Sequence, residues 1–333
     1  MITIFIEPVI HFLGGEGVLF PYVKDYMSIV ILFCVCYMVG YALEIYIKVD
    51  GNPVYPAICV LMGGIMNTVL DYLLVAVFPY GIKGAAFATG ISQLTSTSML
   101  LYYVLFKTKR VKFTKIKYSF LELIKISKVG FAEFLAEVST GIAIFVFNLV
   151  ILKSLGEKGV SAFGVIGYIS SFVVMTMIGF SQGIQPIVSF NLGAKKYDNV
   201  IQTLKISLIM IIITGAVFYG GINLFADKII HTFLNDPDTF SLTKYALVIY
   251  SFAYIINGLN IVTAGYFTAI KKVDISTLIT VLRGVILIVA FLYLLPKYLG
   301  NDGIWWTVPI AELLTLMLST YYIRKYSLQY SKA

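Results

Sequence analysis

The residues able to do chemistry are a few ionisable groups set inside apolar runs. Asp71, Glu133, Glu137 and Glu312 lie deep in such runs, with Arg283 as the one central cation. A charged Asp at the centre of a lipid-embedded helix costs about 2.5–3.5 kcal/mol on insertion scales, so each of these needs a partner or a task. Asn67 precedes Asp71 by four residues, which puts both on one helix face. The next apolar run follows a short turn around Pro79–Lys83 and carries Thr89. At ~1.5 Å per residue, Asp71 and Thr89 both fall about 9–12 Å below the outer surface. A carboxylate, an amide oxygen and a hydroxyl at one depth are hard oxygen ligands, suited to a sodium ion or a proton. The other reading is a structural hydrogen-bond cluster between helices. Glu137 sits in the middle of its run with Glu133 one turn away on the same face. Burial beside a like charge favours the protonated carboxyl, which suits a proton carrier or a partner for a cationic substrate. The alternative is that Glu133 faces a wet cavity. Arg283 and Glu312 both fall near the midplane of a ~30 Å apolar layer and are expected to pair, holding two helices together. Lining of a cavity is the other reading for them. Glu44 and Lys48 are spaced for an ordinary helix-surface ion pair.

The elements that position these groups follow from composition. Of 333 residues, 59% are hydrophobic and 13% charged. Soluble domains carry about 45–50% apolar and about 25% charged residues, so this is a polytopic all-α membrane protein. The net charge of +8 does not imply nucleic acid, because the basic residues lie between apolar runs. A span needs ~20 apolar residues, and nine are expected: 23–47, 54–79, 83–107, 123–153, 159–192, 197–225, 240–269, 273–296 and 303–325. The segment 1–13 is too short to span and lacks a basic n-region or cleavage site. The 106–118 loop holds Lys107, Lys109, Arg110, Lys112, Lys115 and Lys117, and Lys195/Lys196, Lys271/Lys272 and Arg324/Lys325 mark the other basic ends. Acids such as Asp25, Asp227, Asp236, Asp238 and Asp302 gather on the opposite side. The basic side is therefore expected to be cytoplasmic, with the C-terminus inside. Cys34, Cys36 and Cys59 form no metal-spaced cluster, His11 and His231 are isolated, and no phosphate-binding loop or catalytic triad is present.

The chain also repeats itself. "PVIHFL" (8–13) matches "KIIHTFL" (228–234), "KVD" (48–50) matches 272–274, and Gly81-Ile82 matches Gly303-Ile304. "ISQL" (91–94) matches "IAEL" (310–313), and Tyr102-Tyr103 matches Tyr321-Tyr322, all at separations of 219 to 224. Two homologous bundles are a common transporter plan. Residues 1–112 then pair with about 222–333, and 113–221 have no earlier counterpart. The simplest expectation is a twelve-helix protein lacking roughly 110 residues before Met1, with a natural nine-helix protein as the alternative.

Residues Gly179–Val200, "GFSQGIQPIVSFNLGAKKYDNV", set Gln182, Gln185, Pro186 and Asn191 in or beside an apolar run. Gly179 and Gly183 suggest a close helix approach, Gln182 and Gln185 a shared face toward a central cleft, and Gly193 a left-handed cap. This stretch resembles the eighth-helix signature of the MATE multidrug and toxin extrusion family. "DGNPVYPAICVLMGGIMNTVLDYLLVAVFPYGIKGAAFATGISQ" (Asp50–Gln93) is similar to that family's fifth and sixth helices. The resemblance implies a two-lobe bundle: 1–106 an incomplete first lobe, with the end of helix 3 and helices 4–6, 107–122 a linker, and 123–333 a second lobe with helices 7–12. That amounts to about nine full helices and a partial one out of twelve. It also implies that Asn67, Asp71 and Thr89, with the Ala85 carbonyl, match one subgroup's first-lobe cation site, which a first-helix Asp completes. Glu137 matches an acid common on its helix. The tenth-helix acid of some subgroups is absent, and Asn257 and Asn260 stand in that span.

The expected function is secondary active efflux of drug-like organic cations in exchange for Na+ or H+, with no enzyme activity, no cofactor and no metal beyond sodium at Asp71. Substrate or proton coupling falls to Glu137, Glu133, Gln182 and Gln185. The expected setting is a monomer spanning a bacterial plasma membrane. The readings left open are a flippase for lipid-linked saccharides or precursors from the same superfamily, and a non-transporting fragment.

Overall fold

The computed structural model describes residues 6–12, 19–108 and 119–330. The basic run from Lys109 to Lys117 lies outside them, as do the side chains of Glu133 and of 327–330. Every described element is a helix, and the chain divides into two compact units at Lys117/Tyr118.

The first unit contains α1 (Ile6–Phe12), α2 (Leu19–Val30), α3 (Cys34–Val49), α4 (Val54–Asp71) and α5 (Gly81–Phe106). A π-helical stretch, Tyr72–Val77, follows Asp71 directly. Helix α5 lies at its centre. Its hydroxyls bond neighbouring backbones: Ser96 Oγ donates to the Cys59 carbonyl at 2.8 Å and Thr97 Oγ1 to the Cys36 carbonyl at 2.8 Å. Small residues let these helices close in, since a Cβ on Gly63 would stand 2.1 Å from Ser96 Oγ. In lipid, such contacts and hydrogen bonds replace the hydrophobic drive between helices.

The second unit contains α6 (Phe120–Gly193), α7 (Tyr197–Leu224), α8 (Ala226–His231), α9 (Pro237–Ser251), α10 (Ala253–Ala269), α11 (Val273–Val281), α12 (Leu287–Leu299) and α13 (Asp302–Tyr330). A π-helical stretch, Leu282–Ile286, joins α11 to α12. At ~1.5 Å per residue α6 would exceed two membrane thicknesses. It is broken at Gly156, whose φ of 66° and ψ of −160° are not helical. Helix α10 is almost wholly buried, packed by α6, α7, α11 and α13. Asp236 caps α9, accepting from the Thr239 amide at 3.0 Å and its hydroxyl at 2.6 Å. Those two donors, with Lys158 beside them, hold the Asp236 carboxyl below its usual range.

Among the described residues six helices are long and apolar enough to span a membrane, or up to seven if α9 and α10, bent by 43° at Phe252, count as one. The sequence leads one to expect nine. The difference has two physical sources. The two halves of α6 run on as one helical stretch, and α5 carries the buried hydroxyls that lower its apolarity.

The repeat holds inside each unit, in a sharper register than the sequence matches suggest. His11 stacks on Phe20 with ring centroids 5.0 Å apart, and His231 stacks on Phe240 at 4.3 Å. Gly81 and Gly300 both take positive φ, 57° and 59°. Gly84 and Gly303 both crowd a leucine carbonyl, that of Leu74 and of Leu295. Gly81 therefore pairs with Gly300, and Gly303 with Gly84 rather than with Gly81. The "KVD" match is out of register: Lys48–Asp50 closes α3, whereas Lys272–Asp274 opens α11. Two helix ends do correspond. Gly51 and Lys271 are both left-handed, each followed by an amide that bonds five residues back, Asn52 to Ile47 and Lys272 to Phe267. Lys195 ends α6 the same way, so the left-handed residue expected at Gly193 is Lys195.

Candidate functional site

Two polar regions lie inside the helical layers, one in each unit. In the second unit, Arg283 and Glu312 meet. Arg283 Nη2 donates to Glu312 Oε1 at 2.6 Å, and its Nε donates to Oε1 at 3.0 Å and Oε2 at 3.2 Å. Asn260 Nδ2 donates to Oε2 at 2.7 Å and to the Glu312 carbonyl at 2.9 Å. Asn257 Oδ1 accepts from Arg283 Nη2, and Asn260 Oδ1 accepts from Ser319 Oγ at 2.9 Å. The Glu312 side chain is 4% exposed and that of Arg283 17%. The π-helical stretch carries Arg283, α13 carries Glu312 and Ser319, and α10 supplies both asparagines. Asn257 and Asn260, one turn apart, serve opposite ends of the same ion pair.

In the first unit a cavity of about 360 Å³ opens between α3, α4 and α5. Asn67 and Thr89 line it together with Tyr37, Tyr41, Glu44 and Gln93. Thr89 Oγ1 donates to the Ala85 carbonyl at 3.1 Å, leaving its lone pairs for another donor or a cation. Glu44 pairs with Lys48 at 2.6 Å. Asp71, half-buried at the end of α4, is not among the lining residues, and its Oδ1 is buried with no hydrogen-bond partner. A carboxylate oxygen buried without a donor is costly, and a proton or a cation relieves it.

The repeat puts these two regions in the same place of their units. Helices α3 and α10 correspond at a spacing of 220, set by the left-handed residues Gly51 and Lys271 that follow them, and α4–α5 and α11–α13 at 219, set by the starts of α4 and α11 and by the glycine pairs Gly81/Gly300 and Gly84/Gly303. Tyr37, Gly40, Gly64, Gln93 and Leu100, all lining the cavity, then match Asn257, Asn260, Arg283, Glu312 and Ser319. The cavity is the space that the Arg283–Glu312 network fills in the other unit. The sequence reading missed Tyr37, Tyr41 and Gln93. The match of "ISQL" to "IAEL" was the signal that could have found Gln93.

The remaining candidates fall on α6. Glu137 is exposed on the outside of the helix, and the side chain of Glu133 lies outside the described residues. Gln185 is part of the contact with α10. It lies against Gly265, where an added Cβ would stand 3.2 Å from the Gln185 Nε2. Ser181 Oγ donates to the Ile261 carbonyl at 3.1 Å and Ser189 Oγ to the Ala269 carbonyl at 3.2 Å. Residues 181, 185 and 189, one turn apart, are thus the stripe that docks α6 on α10. The close approach expected at Gly179 and Gly183 is not made: a Cβ on either meets nothing within 4 Å. The small residue that permits contact is Gly265 on the partner helix. Asn191 accepts from Asn199 Nδ2 at 3.0 Å, tying the end of α6 to the start of α7.

Known proteins resemble the chain along its length. The MatE family model matches residues 133–294. The multidrug export protein MepA of Staphylococcus saprophyticus is 25% identical over 335 residues, covering 97% of this chain and 72% of that protein. MepA of Staphylococcus haemolyticus is 24% identical over 327 residues, covering 98% and 71%. Among solved structures, a multidrug resistance MATE transporter of the MOP superfamily in its outward-facing conformation superimposes with a TM-score of 0.90 at 19% identity, covering 100% of this chain and 75% of that one. A MOP superfamily transporter from Pyrococcus furiosus gives 0.92 at 19% identity, covering 100% and 75%.

Proposed function

We propose that this chain belongs to the MATE family of transporters, which it resembles in sequence and fold, and that it carries drug-like organic cations out across a bacterial plasma membrane in exchange for H+ or Na+. It is an ion-coupled membrane transporter of small molecules, not an enzyme, and needs no cofactor. Asp71 is the ion-coupling group, with Asn67 and Thr89 as neighbouring oxygen ligands and the Ala85 carbonyl beside them. The observation that carries this reading is the Asp71 carboxylate oxygen, buried without a hydrogen-bond donor among the described residues, one helical turn beyond Asn67, which lines the polar cavity. Protonation, or a sodium ion, satisfies that oxygen. Release of the ion restores the charge, so occupancy changes the local charge by one unit, which is the minimum an exchanger requires.

The cavity between α3, α4 and α5 offers what a flat organic cation needs. Tyr37 and Tyr41 present aromatic faces for cation–π contact, worth about 0.5–2 kcal/mol. Gln93 and Asn67 supply amide acceptors. Glu137 and Gln182 stand on exposed or half-exposed faces of α6 and belong to the substrate path as a second proposal, together with Glu133. Gln185 packs on Gly265 and positions the helix. The end of the second unit bearing Lys195, Lys196, Lys271 and Lys272 is the cytoplasmic one, which puts the C-terminus inside and Asp227, Asp236, Asp238 and Asp302 outside. The working unit is a monomer. The lobes are 1–106 and 123–333, joined by 107–122.

Dye efflux under an imposed pH or sodium gradient tests the proposal. Asp71→Asn keeps the shape and removes the charge change. It should reduce gradient-dependent efflux to background while membrane abundance stays the same. Retained efflux in that variant would sink the assignment of Asp71.

A further inference from the structure

We propose that Arg283 is a built-in cation for the second unit: it occupies the carboxylate that would otherwise bind a mobile ion, so Glu312 stays ionised and exchanges neither a proton nor sodium. The inference rests on the antiport reading above and fixes which carboxylate within the second unit takes no part in it.

The geometry is that of a filled site. A carboxylate offers about four lone-pair positions. On Glu312 three N–H groups reach all of them: Arg283 Nε is shared between the two oxygens, Arg283 Nη2 donates to Oε1 and Asn260 Nδ2 to Oε2, at 2.6 to 3.2 Å. Every donor is an N–H, so nothing in this shell would help hold a metal ion. The guanidinium keeps its proton at every pH a cell reaches. The donors are themselves held: Asn257 Oδ1 accepts from Arg283, and Ser319 Oγ orients the Asn260 amide so that its NH2 faces Glu312. Tyr250 on α9 is another ionisable group close to the pair. Opening this shell for an ion would strand a largely buried guanidinium without its counter-charge, which is strongly unfavourable.

The repeat supplies the independent argument. The same position in the first unit has Gly64 where Arg283 stands and Gln93 where Glu312 stands, and there the space is a cavity. One unit has neither the fixed cation nor its acid and keeps room for something mobile. The other has both and keeps none. The two α10 amides serve opposite ends of the pair that joins the π-helical stretch to α13. That arrangement keeps the pair charged.

Infrared difference spectroscopy on the purified full chain in lipid nanodiscs reads the outcome, through the band of protonated carboxyl groups that appears as pH falls from 8 to 5. Glu312→Gln should leave that band unchanged from the parent protein. Arg283→Met should add one carboxyl band, and Arg283→Met with Glu312→Gln should remove the addition. Arg283→Lys keeps a cation and should add none. A band lost in Glu312→Gln alone would overturn the proposal, as would an Arg283→Met protein with no new band. If Arg283→Met does not fold, the comparison of parent with Glu312→Gln decides on its own. Failure of the antiport reading shows elsewhere, as gradient-driven efflux persisting in Asp71→Asn, and leaves these spectra as they are.

Discussion

The two units place the same helices around the same spot and fill it differently. In the second unit an arginine, a glutamate, two asparagines and a serine satisfy one another in a buried network. In the first, tyrosine, two glycines, glutamine and leucine take those five positions and leave about 360 Å³ open. Beside the filled site no acid is left wanting. In the open unit, Asp71 buries an oxygen that no described residue satisfies. Duplication gives two equivalent frames, one closed by a fixed ion pair and the other left open.

The comparison predicts unequal responses to charge removal. Taking away one member of a buried ion pair strands the other, at about 3–5 kcal/mol. Glu312→Ala and Arg283→Ala should each destabilise the protein by that order, seen as a drop in thermal unfolding temperature in detergent. The double variant Arg283→Met/Glu312→Leu should recover most of the loss, since apolar replacement of a buried pair is often neutral. Asp71→Asn should cost less than about 1 kcal/mol, because it removes a charge that lacks a donor. Equal losses at Asp71 and Glu312 would show that the two units do not differ in this way.

Packing around the two sites should differ too. A Cβ on Gly265 would stand 2.0 Å from Ser181 Oγ, in the stripe that docks α6 on α10. Gly265→Ala should therefore destabilise by about 1–3 kcal/mol through overpacking. A Cβ on Gly64, which lines the cavity, meets nothing within 4 Å. Gly64→Ala should be neutral or stabilising by up to about 1 kcal/mol, the helix-propensity difference. A scan of unfolding temperatures over both variants reads the contrast directly.

What was legible in the sequence depended on whether the signal was local. Helix positions followed from runs of apolar residues, and each expected run is helical in the structure. The polar α5 shows the limit: its hydroxyls are buried against the carbonyls of Cys59 and Cys36, so its low apolarity reflects packing. The positions of Arg283 and Glu312 could be estimated from helix ends, but the two α10 amides around them could not, because nothing in the spacing says which way Asn257 and Asn260 turn. The same holds at Gly179 and Gly183. A small-residue stripe marks where helices could approach, and the partner helix decides whether they do. The repeat was visible from the start, but tripeptide matches put parts of it out of register. Backbone conformation at Gly81 and Gly300 sets it right.

The smallest effect tests that register at one residue. Gly51 and Lys271 occupy the same left-handed position after α3 and α10, with φ of 98° and 64°. A side chain there costs about 1–2 kcal/mol, because Cβ crowds the following carbonyl. Glycine avoids the clash but loses more chain entropy on folding, about 0.5–1 kcal/mol. The difference favours glycine by roughly 0.5–1 kcal/mol. Lys271→Gly should then raise the unfolding temperature slightly, and Gly51→Lys should lower it by a similar amount. Lys195→Gly, at the matching end of α6 with φ of 57°, should behave like Lys271→Gly. Changes of the same sign at 51 and 271 would mean that the two helix ends are not equivalent, and with them the correspondence that sets Gly64 against Arg283 would fail.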